Sequence, residues 1–156
     1  MTAAENTLPP EITNTVGLLF LLERRLEYLF DKVLLPHNLT AKQWLLLSVV
    51  EKTGNERPSL QEVARQLNTS HQNVKAIALN LEKRGFLALE KDADDKRVTR
   101  LRVTQLSKDF WQEREEQDNL MFLQIFQYLT AAETKTLAPL LFKLLYGVQE
   151  MTDRIN

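Results

Sequence analysis

The sequence predicts a mainly α-helical protein that carries one short β-hairpin between its helices. Apolar residues recur with a helical period through most of the chain, and capping-box pairs mark three of the predicted helix starts. Only four Gly and five Pro are present, and several of them stand where one predicted helix ends and the next begins. Between residues 86 and 103 the pattern changes to the alternation that is typical of β-strands.

The composition is that of a globular protein and excludes several classes of site. With 156 residues, of which 44% are apolar, the chain can bury a core without covalent cross-links. The absence of cysteine excludes disulfides, thiolate zinc sites and thiol nucleophiles. No apolar run approaches the roughly 20 residues of a membrane span, and residues 1–6 lack the basic start of a signal peptide. We therefore expect a cytoplasmic protein that has no membrane partner.

The charge is spread unevenly along the chain, although the formal net charge is only −1. Residues 55–104 hold ten Lys/Arg and seven Asp/Glu, whereas the remaining residues hold ten and fourteen. A basic middle between acidic ends is a weak electrostatic indication of nucleic-acid binding.

The first predicted helix covers residues 11–35 and ends before Pro36. Its apolar residues lie on more than one face: Val16, Leu19, Phe20, Leu22, Leu26, Leu29, Phe30 and Val33. A helix of this kind is covered either by the rest of its own fold or by a partner.

Three capping boxes place the starts of later helices. Their residue pairs are Thr40 with Gln43, Ser59 with Glu62, and Thr130 with Glu133. The first box opens a helix that should end at Gly54 and Asn55. The third opens a last helix over residues 131–151, in which Pro139 should introduce a kink. Another helix is predicted between Thr104 and about Leu129.

The helix that starts at Ser59 and the one after it form a closely spaced pair. Ala64 falls where the two helices must approach, and Asn68 falls in the turn, where a left-handed backbone is often needed. Val74 and Ile77 should pack into the angle between the helices. Gly85 follows Lys83 and Arg84 as a helix-stop signal.

Burial of those side chains leaves the opposite face of the second helix pointing outward. Its polar residues are Ser70, which is the predicted N-cap, His71, Gln72, Asn73, Lys75 and Asn80. A short polar face without acidic residues suits a helix whose N-terminal half enters a DNA major groove. The alternative is a solvated helical hairpin, because this helix-pair spacing is common by chance.

A charged hairpin follows this helix pair. Two short strands, over residues 86–91 and 98–103, flank the polar segment 92–97. Lys96 and Arg97 lie at its tip, from which a cationic side chain can reach an adjacent minor groove. Two short helices and a charged hairpin together make the winged helix-turn-helix arrangement. An ordinary solvated turn is the alternative interpretation of the tip alone.

Several segments match a known family. They are LTAKQW at 39–44, LQEVA at 60–64, LEKRGF at 81–86, and Asp95-Lys96-Arg97 followed by Thr104 seven residues after Arg97. With them the chain resembles the MarR family of transcriptional regulators, and the outer helices fit as well. The resemblance implies that Arg97 enters the DNA minor groove and that Asp95 braces it. It also implies a dimer made by the first helix and the last two, often regulated by a small ligand.

The chain departs from the family pattern at two points. Ser107 stands where many members have Gly near the start of the long helix, a position at which Ser is tolerated. Since cysteine is absent, the thiol chemistry of the family's peroxide-sensing branch is excluded.

Other kinds of chemistry find little support. His37 and His71 lack metal-ligand spacing, so we expect neither a metal nor any other cofactor. No phosphate loop or catalytic motif is present, and Glu113, Glu115 and Glu116 are interpreted as a solvated helix face. We therefore expect no enzyme activity.

Two groups of residues could belong to a ligand-binding pocket, which remains an alternative interpretation. The aromatic residues Phe20, Tyr28, Phe30, Trp44, Phe110 and Trp111 could line such a pocket, although core packing is the simpler interpretation. Arg24 and Arg25 could bind an anion, but exposed or interfacial salt bridges are the more common role of such residues.

The sequence therefore predicts three regions: an N-terminal dimerisation helix (1–36), a winged helix-turn-helix DNA-binding domain (37–104) and C-terminal dimerisation helices (105–156). We expect a homodimeric repressor that binds a pseudo-palindromic operator in double-stranded DNA and is released by a small effector. The expected DNA contacts are Ser70, His71, Gln72, Asn73, Lys75, Lys96 and Arg97, with Asp95 supporting the wing. The alternative is a protein-interaction module that uses the same fold without specific DNA binding.

Overall fold

A computed structural model describes residues 8–53 and 57–155. The chain divides into two compact units, with the division between Lys108 and Asp109. The predicted helix end at Gly54 and Asn55 lies outside the described residues.

The described residues form six α-helices and one two-stranded sheet. The first unit contains α1 (Pro10–Leu34), a 3-10 turn (Leu35–His37), α2 (Ala41–Lys52), α3 (Leu60–Gln66), α4 (His71–Lys83), β1 (Leu87–Lys91), β2 (Thr99–Val103) and the start of α5 (Gln105–Ile125). The second unit contains the rest of α5 and α6 (Ala131–Ile155). These elements confirm the predicted fold class, a mainly helical protein with a small hairpin.

The predicted helix bounds are close to the observed ones except at the ends of the last two helices, and α6 continues to Ile155, four residues beyond the predicted end at residue 151. The long helix ends at Ile125, not at about Leu129 as predicted. A turn follows, in which the Leu129 N–H donates to the Phe126 carbonyl at 2.9 Å. Apolar Phe126 and Leu129 continue the periodic pattern into this turn, so periodicity alone does not mark the end of α5. Helix α6 continues on both sides of Pro139, and the kink expected there stays a prediction.

All three capping boxes form as the sequence predicts. The Thr40 hydroxyl accepts from the Gln43 N–H at 3.2 Å, and the Gln43 side chain accepts from the Thr40 N–H at 3.1 Å. Ser59 with Glu62 and Thr130 with Glu133 make the same reciprocal pairs. Each box satisfies backbone donors that the first helical turn would otherwise leave unpaired.

The core of the first unit joins α2, α3, α4 and the inner face of the hairpin. Its buried residues include Leu34, Leu39, Leu46, Leu47, Val50, Leu60, Val63, Ala64, Val74, Ala78, Leu81, Leu87 and Leu101. Ala64 and Val74 are buried as predicted, and Asn68 is left-handed with φ 46°. Ile77 is only half-buried, because the buried stripe of α4 runs through Val74, Ala78 and Leu81 and Ile77 lies at its border.

The hairpin is held beside the start of α3. β1 and β2 pair antiparallel, with Leu87 opposite Val103 and Lys91 opposite Thr99. On its other edge, β2 meets the segment before α3, where the Leu101 N–H donates to the Pro58 carbonyl at 2.8 Å. This edge contact fixes where the hairpin lies relative to the helix pair.

In the second unit, α6 has no buried residue among those described. Within α5, the buried Arg114 pairs with Asp118 at 2.8 Å, and its guanidinium lies 5.8 Å from the Phe110 ring centroid. No helix in the described part of the chain combines the length and apolar character that a bilayer span requires.

Candidate nucleic-acid interface

The wing tip is a tight turn that presents two cations. The Val98 N–H donates to the Asp95 carbonyl at 2.9 Å, which places Lys96 and Arg97 at the two central positions of the turn. Both side chains are exposed. The structure thus places Lys96 and Arg97 at the end of the hairpin, as the sequence predicts.

Asp95 accepts hydrogen bonds from Arg97, which lies two residues later in the chain. One carboxylate oxygen, Oδ1, accepts from the Arg97 backbone N–H at 2.9 Å and from its Nε at 3.0 Å, while Oδ2 accepts from Nη2 at 3.0 Å. These bonds lower the pKa of Asp95, the side-chain bond being the largest cause, so the carboxylate is ionised at neutral pH. The Arg97 side chain stays 91% exposed, so it is oriented without being covered.

Asp92 organises the backbone of the same turn. Its Oδ1 accepts from the N–H groups of Asp94 and Asp95, each at 3.0 Å, and its Oδ2 accepts from Arg100 Nε at 2.7 Å. The pKa of Asp92 is lowered to about 2, first by the backbone bond from Asp95 and then by Arg100. Asp92 is therefore an ionised anchor for the residue that holds Arg97.

Arg100 connects the wing to α3. Its Nη1 lies 3.2 Å from Glu62 Oε2 and donates to the Arg57 carbonyl at 3.1 Å. Glu62 is the same residue that caps α3, and its pKa is lowered mainly by its bonds with Ser59. The sequence pattern assigns no role to Asp92 or Arg100. The available signal was an Asp and an Arg eight positions apart on either side of a predicted hairpin tip.

The start of α4 uses two of the predicted contact residues for its own structure. The Ser70 hydroxyl accepts from the Asn73 N–H at 3.1 Å, so Ser70 is the N-cap. Asn73 Nδ2 donates to the Thr69 hydroxyl at 3.0 Å. Near the other end of α4, Asn80 Oδ1 accepts from Gln43 Nε2 at 2.8 Å. Asn80 is exposed, but its amide oxygen is bound to α2.

A cleft of about 300 Å³ separates the start of α4 from the wing. Its lining residues are Ser59, Leu60, Gln61, His71, Lys75, Lys91, Arg97, Val98 and Thr99. It brings together three predicted residues, His71, Lys75 and Arg97, and adds Lys91, to which the sequence pattern assigns no role. The other predicted contacts, Ser70, Gln72, Asn73 and Lys96, are not in the lining. Because none of the lining residues is acidic, the cleft can accept an anionic group such as a phosphate.

The residues weighed for other ligands have ordinary surroundings. The Phe30 and Trp44 rings pack 4.5 Å apart, and Phe30 is buried. Arg24 is exposed and pairs with Glu27 at 3.3 Å, while Glu113, Glu115 and Glu116 are exposed as interpreted. Within residues 8–53 and 57–155, no group of three His, Asp or Glu side chains is arranged to hold a metal ion.

Comparison with known families places this interface in context. Residues 37–98 match the MarR family, which confirms the resemblance predicted from the sequence motifs. This segment contains α2, α3, α4, β1 and the wing turn. Comparison with curated protein sequences finds no match.

Solved structures of the same fold cover nearly the whole chain. A MarR protein from Peptoclostridium difficile matches with a TM-score of 0.77 and 22% identity over 100% of this chain and 99% of its own. The transcriptional regulator SlyA matches with a TM-score of 0.75 and 21% identity over 93% and 99%. MepR from S. aureus, solved in a complex with DNA, matches with a TM-score of 0.68 and 17% identity over 84% and 94%. The chain thus has the winged-helix fold of these proteins.

Proposed function

We propose that the protein binds double-stranded DNA and controls transcription. The proposal is supported by the match of residues 37–98 to the MarR family and by a fold shared with solved transcriptional regulators. The observation that carries this proposal is the cleft between α4 and the wing. Exposed His71, Lys75, Lys91 and Arg97 surround it, and no carboxylate lines it. Duplex DNA is the polyanion whose groove width suits a helix beside a cationic hairpin.

The start of α4 is proposed to enter the major groove. Gln72 and Lys75 are exposed and lie one turn apart on the same helix. A Gln amide can pair with adenine through two hydrogen bonds, and Lys can reach guanine or a phosphate. His71 lies in the first turn, where the positive end of the helix dipole also favours a phosphate. Ser70 and Asn73 contribute as well, although both also stabilise the helix start.

Arg97 is proposed to enter the adjacent minor groove. A narrow, A·T-rich minor groove concentrates negative potential, which attracts a guanidinium more strongly than an average phosphate does. Asp95 holds the Arg97 side chain before DNA arrives, so less conformational freedom is lost on binding. Lys96 is the second tip cation and is proposed as a less specific phosphate contact.

The protein is proposed to act as a homodimer, through α1 and the last two helices. α1 exposes Ile12, Val16, Leu18, Phe20, Leu21 and Leu22, and α6 exposes Leu140, Phe142, Leu144, Leu145, Tyr146 and Val148. Single helices with so much exposed apolar surface are typical of partner interfaces. An obligate dimer of this kind would bury about 2,000 Å² or more.

A two-fold dimer implies a symmetric site on the DNA. Each dimer would present two α4 helices about one helical turn of DNA apart, so the operator should be pseudo-palindromic. Occupation of a promoter would make the protein a repressor. A small effector that favours a different separation of the two α4 helices would release the DNA. We expect it to work in the cytoplasm without a cofactor and without enzyme activity.

A footprint on the DNA that flanks the protein's own coding region tests the proposal. The expected result is a protected, pseudo-palindromic segment whose protection weakens steeply as salt rises, because phosphate contacts release counterions. The matched control is the Arg97→Ala, Lys75→Ala double variant, which should protect the segment less at the same salt. The alternative function is a protein-interaction module. It predicts no protected segment and no difference between wild type and the double variant.

A further inference from the structure

Three ion pairs and one backbone hydrogen bond join α3 to the wing tip in one continuous path. Glu62 in the first turn of α3 contacts Arg100 on β2, and Arg100 contacts Asp92 at the end of β1. Asp92 then accepts from the backbone N–H of Asp95, whose carboxylate holds Arg97. The exposed guanidinium at the tip is thus connected to the helix pair through a chain of charged, hydrogen-bonded groups.

We propose that Arg100 is a positioning residue for DNA binding, which fixes the wing tip relative to α3 and α4 without contacting DNA itself. This inference rests on the proposed function and adds a determinant that lies outside the expected contact set. It predicts that the DNA affinity supplied by Arg97 depends on the Asp92–Arg100 pair.

The geometry of Arg100 favours a positioning role over a direct contact. Its Nε and Nη1 already donate to Asp92, to Glu62 and to the Arg57 carbonyl, so these donors are occupied before DNA binds. The side chain is 34% exposed, against 91% for Arg97. With two carboxylates beside it, its charge is largely balanced and attracts a phosphate weakly. A planar guanidinium can serve these separate acceptors together, which a lysine ammonium on a flexible stem does less well.

Arg102 provides a matched control on the same strand. It lies two residues after Arg100 and pairs with Glu90 through Nε at 2.9 Å and Nη2 at 2.8 Å. Its partner is within β1, opposite Arg100 in the register, and neither Arg102 nor Glu90 belongs to the tip turn. Removal of either arginine deletes the same charge, but Arg102 loses its ion pair with Glu90, whereas Arg100 loses its ion pairs with Asp92 and Glu62. Only the removal of Arg100 also releases Asp92.

Surface ion pairs contribute little to global stability, so the proposed effect is on binding. Without Arg100, Asp92 keeps its backbone hydrogen bonds but loses its connection to α3. The wing tip would then sample more orientations, and DNA binding would have to order it. We expect Arg100→Met to remain folded and to bind DNA more weakly.

A double-mutant comparison at one fixed salt concentration tests the inference. The probe is a duplex that contains the selected site for the wild-type protein, and affinities are measured for Arg100→Met, Arg102→Met and Asp92→Asn. We expect Arg100→Met and Asp92→Asn to weaken binding by about tenfold, or about 1.4 kcal/mol. Arg102→Met should stay within about twofold of wild type. In an Arg97→Ala background, Arg100→Met should lower the DNA affinity by less than about twofold, since no guanidinium remains at the wing tip to be positioned.

Two results would overturn this inference and leave the proposed function intact. If Arg100→Met lowers DNA affinity equally in the wild-type and Arg97→Ala backgrounds, and the slope of log affinity against log salt falls by about one, Arg100 is a direct phosphate contact. Equal losses for Arg100→Met and Arg102→Met would make the effect one of net charge. If wild type shows no specific binding, the proposed function fails and this inference fails with it.

The free protein supplies a readout that needs no DNA. Exchange protection of the Arg97 Nε–H, measured by NMR, should fall in Arg100→Met and Asp92→Asn and remain unchanged in Arg102→Met. Unchanged protection in the first two variants would contradict the proposed path from α3 to the tip. Asp92→Asn keeps the side-chain shape, so it preserves the test if Arg100→Met fails to fold.

Discussion

Asp95 accepts three hydrogen bonds from Arg97 while the Arg97 side chain remains 91% exposed. A cation that is both oriented and open to solvent can bind an anion with little further ordering. A merely structural ion pair would not require such exposure. This relationship is the basis of the expectations for the wing.

Arg97→Ala should weaken DNA binding much more than Lys96→Ala, although the two residues are neighbours in one turn. Only Arg97 is held by a carboxylate, and only a held guanidinium can use the narrow minor groove fully. Affinities are compared at one salt concentration, on one duplex with A·T flanks and one with G·C flanks. The cost of Arg97→Ala should shrink on the G·C duplex. Equal costs for both variants on both duplexes would show a generic charge effect.

Asp95→Ala should also weaken DNA binding, even though it removes a negative charge from the wing turn. The reason is that the Arg97 side chain loses both of its hydrogen bonds to Asp95, and its backbone N–H loses a third, so the DNA must order the side chain. Asp94→Ala is the matched control, because it removes the same charge one residue earlier. Tighter binding by Asp95→Ala than by wild type would refute the bracing role.

Much of the fold could be predicted from the sequence because its signals are local. The capping boxes at Thr40, Ser59 and Thr130 each depend on residues three positions apart, and all three form. The left-handed turn at Asn68 and the strand alternation are local as well. The end of α5 was misplaced because apolar residues continue into the turn at residues 126–129, and periodicity alone does not mark such an exit.

The candidate site was less predictable, because its connections cross between elements. Arg100 meets Glu62, which is 38 residues earlier in the chain, and Gln43 meets Asn80 across 37 residues. A single sequence gives the spacing along a strand or helix, but not the register between a strand and a distant helix. The place of Lys91 in the cleft could not be predicted for the same reason, since it depends on how β1 lies beside α4.

Asp92 should remain ionised to unusually low pH in the wild-type protein. Its folded pKa of about 2 lies below the ordinary 3.8, so the stabilisation that it provides is present above about pH 4 and is lost as pH falls toward 2. In Arg100→Met the pKa should rise, but not fully, because the backbone bonds from Asp94 and Asp95 remain. A carboxyl-carbon NMR titration checks this. An identical midpoint in both proteins would show that Arg100 does not act on Asp92.

Gln72→Ala and Asn73→Ala should relax base preference at specific operator positions by about 1–3 kcal/mol each. Gln72 is exposed in the first turn of α4. For Asn73 part of the loss would come from its bond with Thr69, so Thr69→Ala serves as a control for helix-start effects. The readout is the base preference from a binding-site selection. Retention of the wild-type preference by both variants would mean that another element reads the bases.

The protein should sediment as a dimer at micromolar concentration. Leu145→Glu places a charge in the exposed apolar stripe of α6 and should dissociate the dimer. Lys143→Glu lies on the polar side of the same helix and should leave the dimer intact. Sedimentation velocity distinguishes these states. A folded wild-type monomer at this concentration would refute the proposed interface.

The central claim is that a homodimer reads DNA with two copies of the α4–wing interface, and selection of the full chain against random duplex DNA tests it most directly. The expected result is enrichment of a pseudo-palindrome whose half-sites are centred about one helical turn, or 10–10.5 base pairs, apart. Each half-site should be flanked outward by A·T pairs where Arg97 would lie. Enrichment of no sequence above background, or of a single half-site without a symmetric partner, would contradict it.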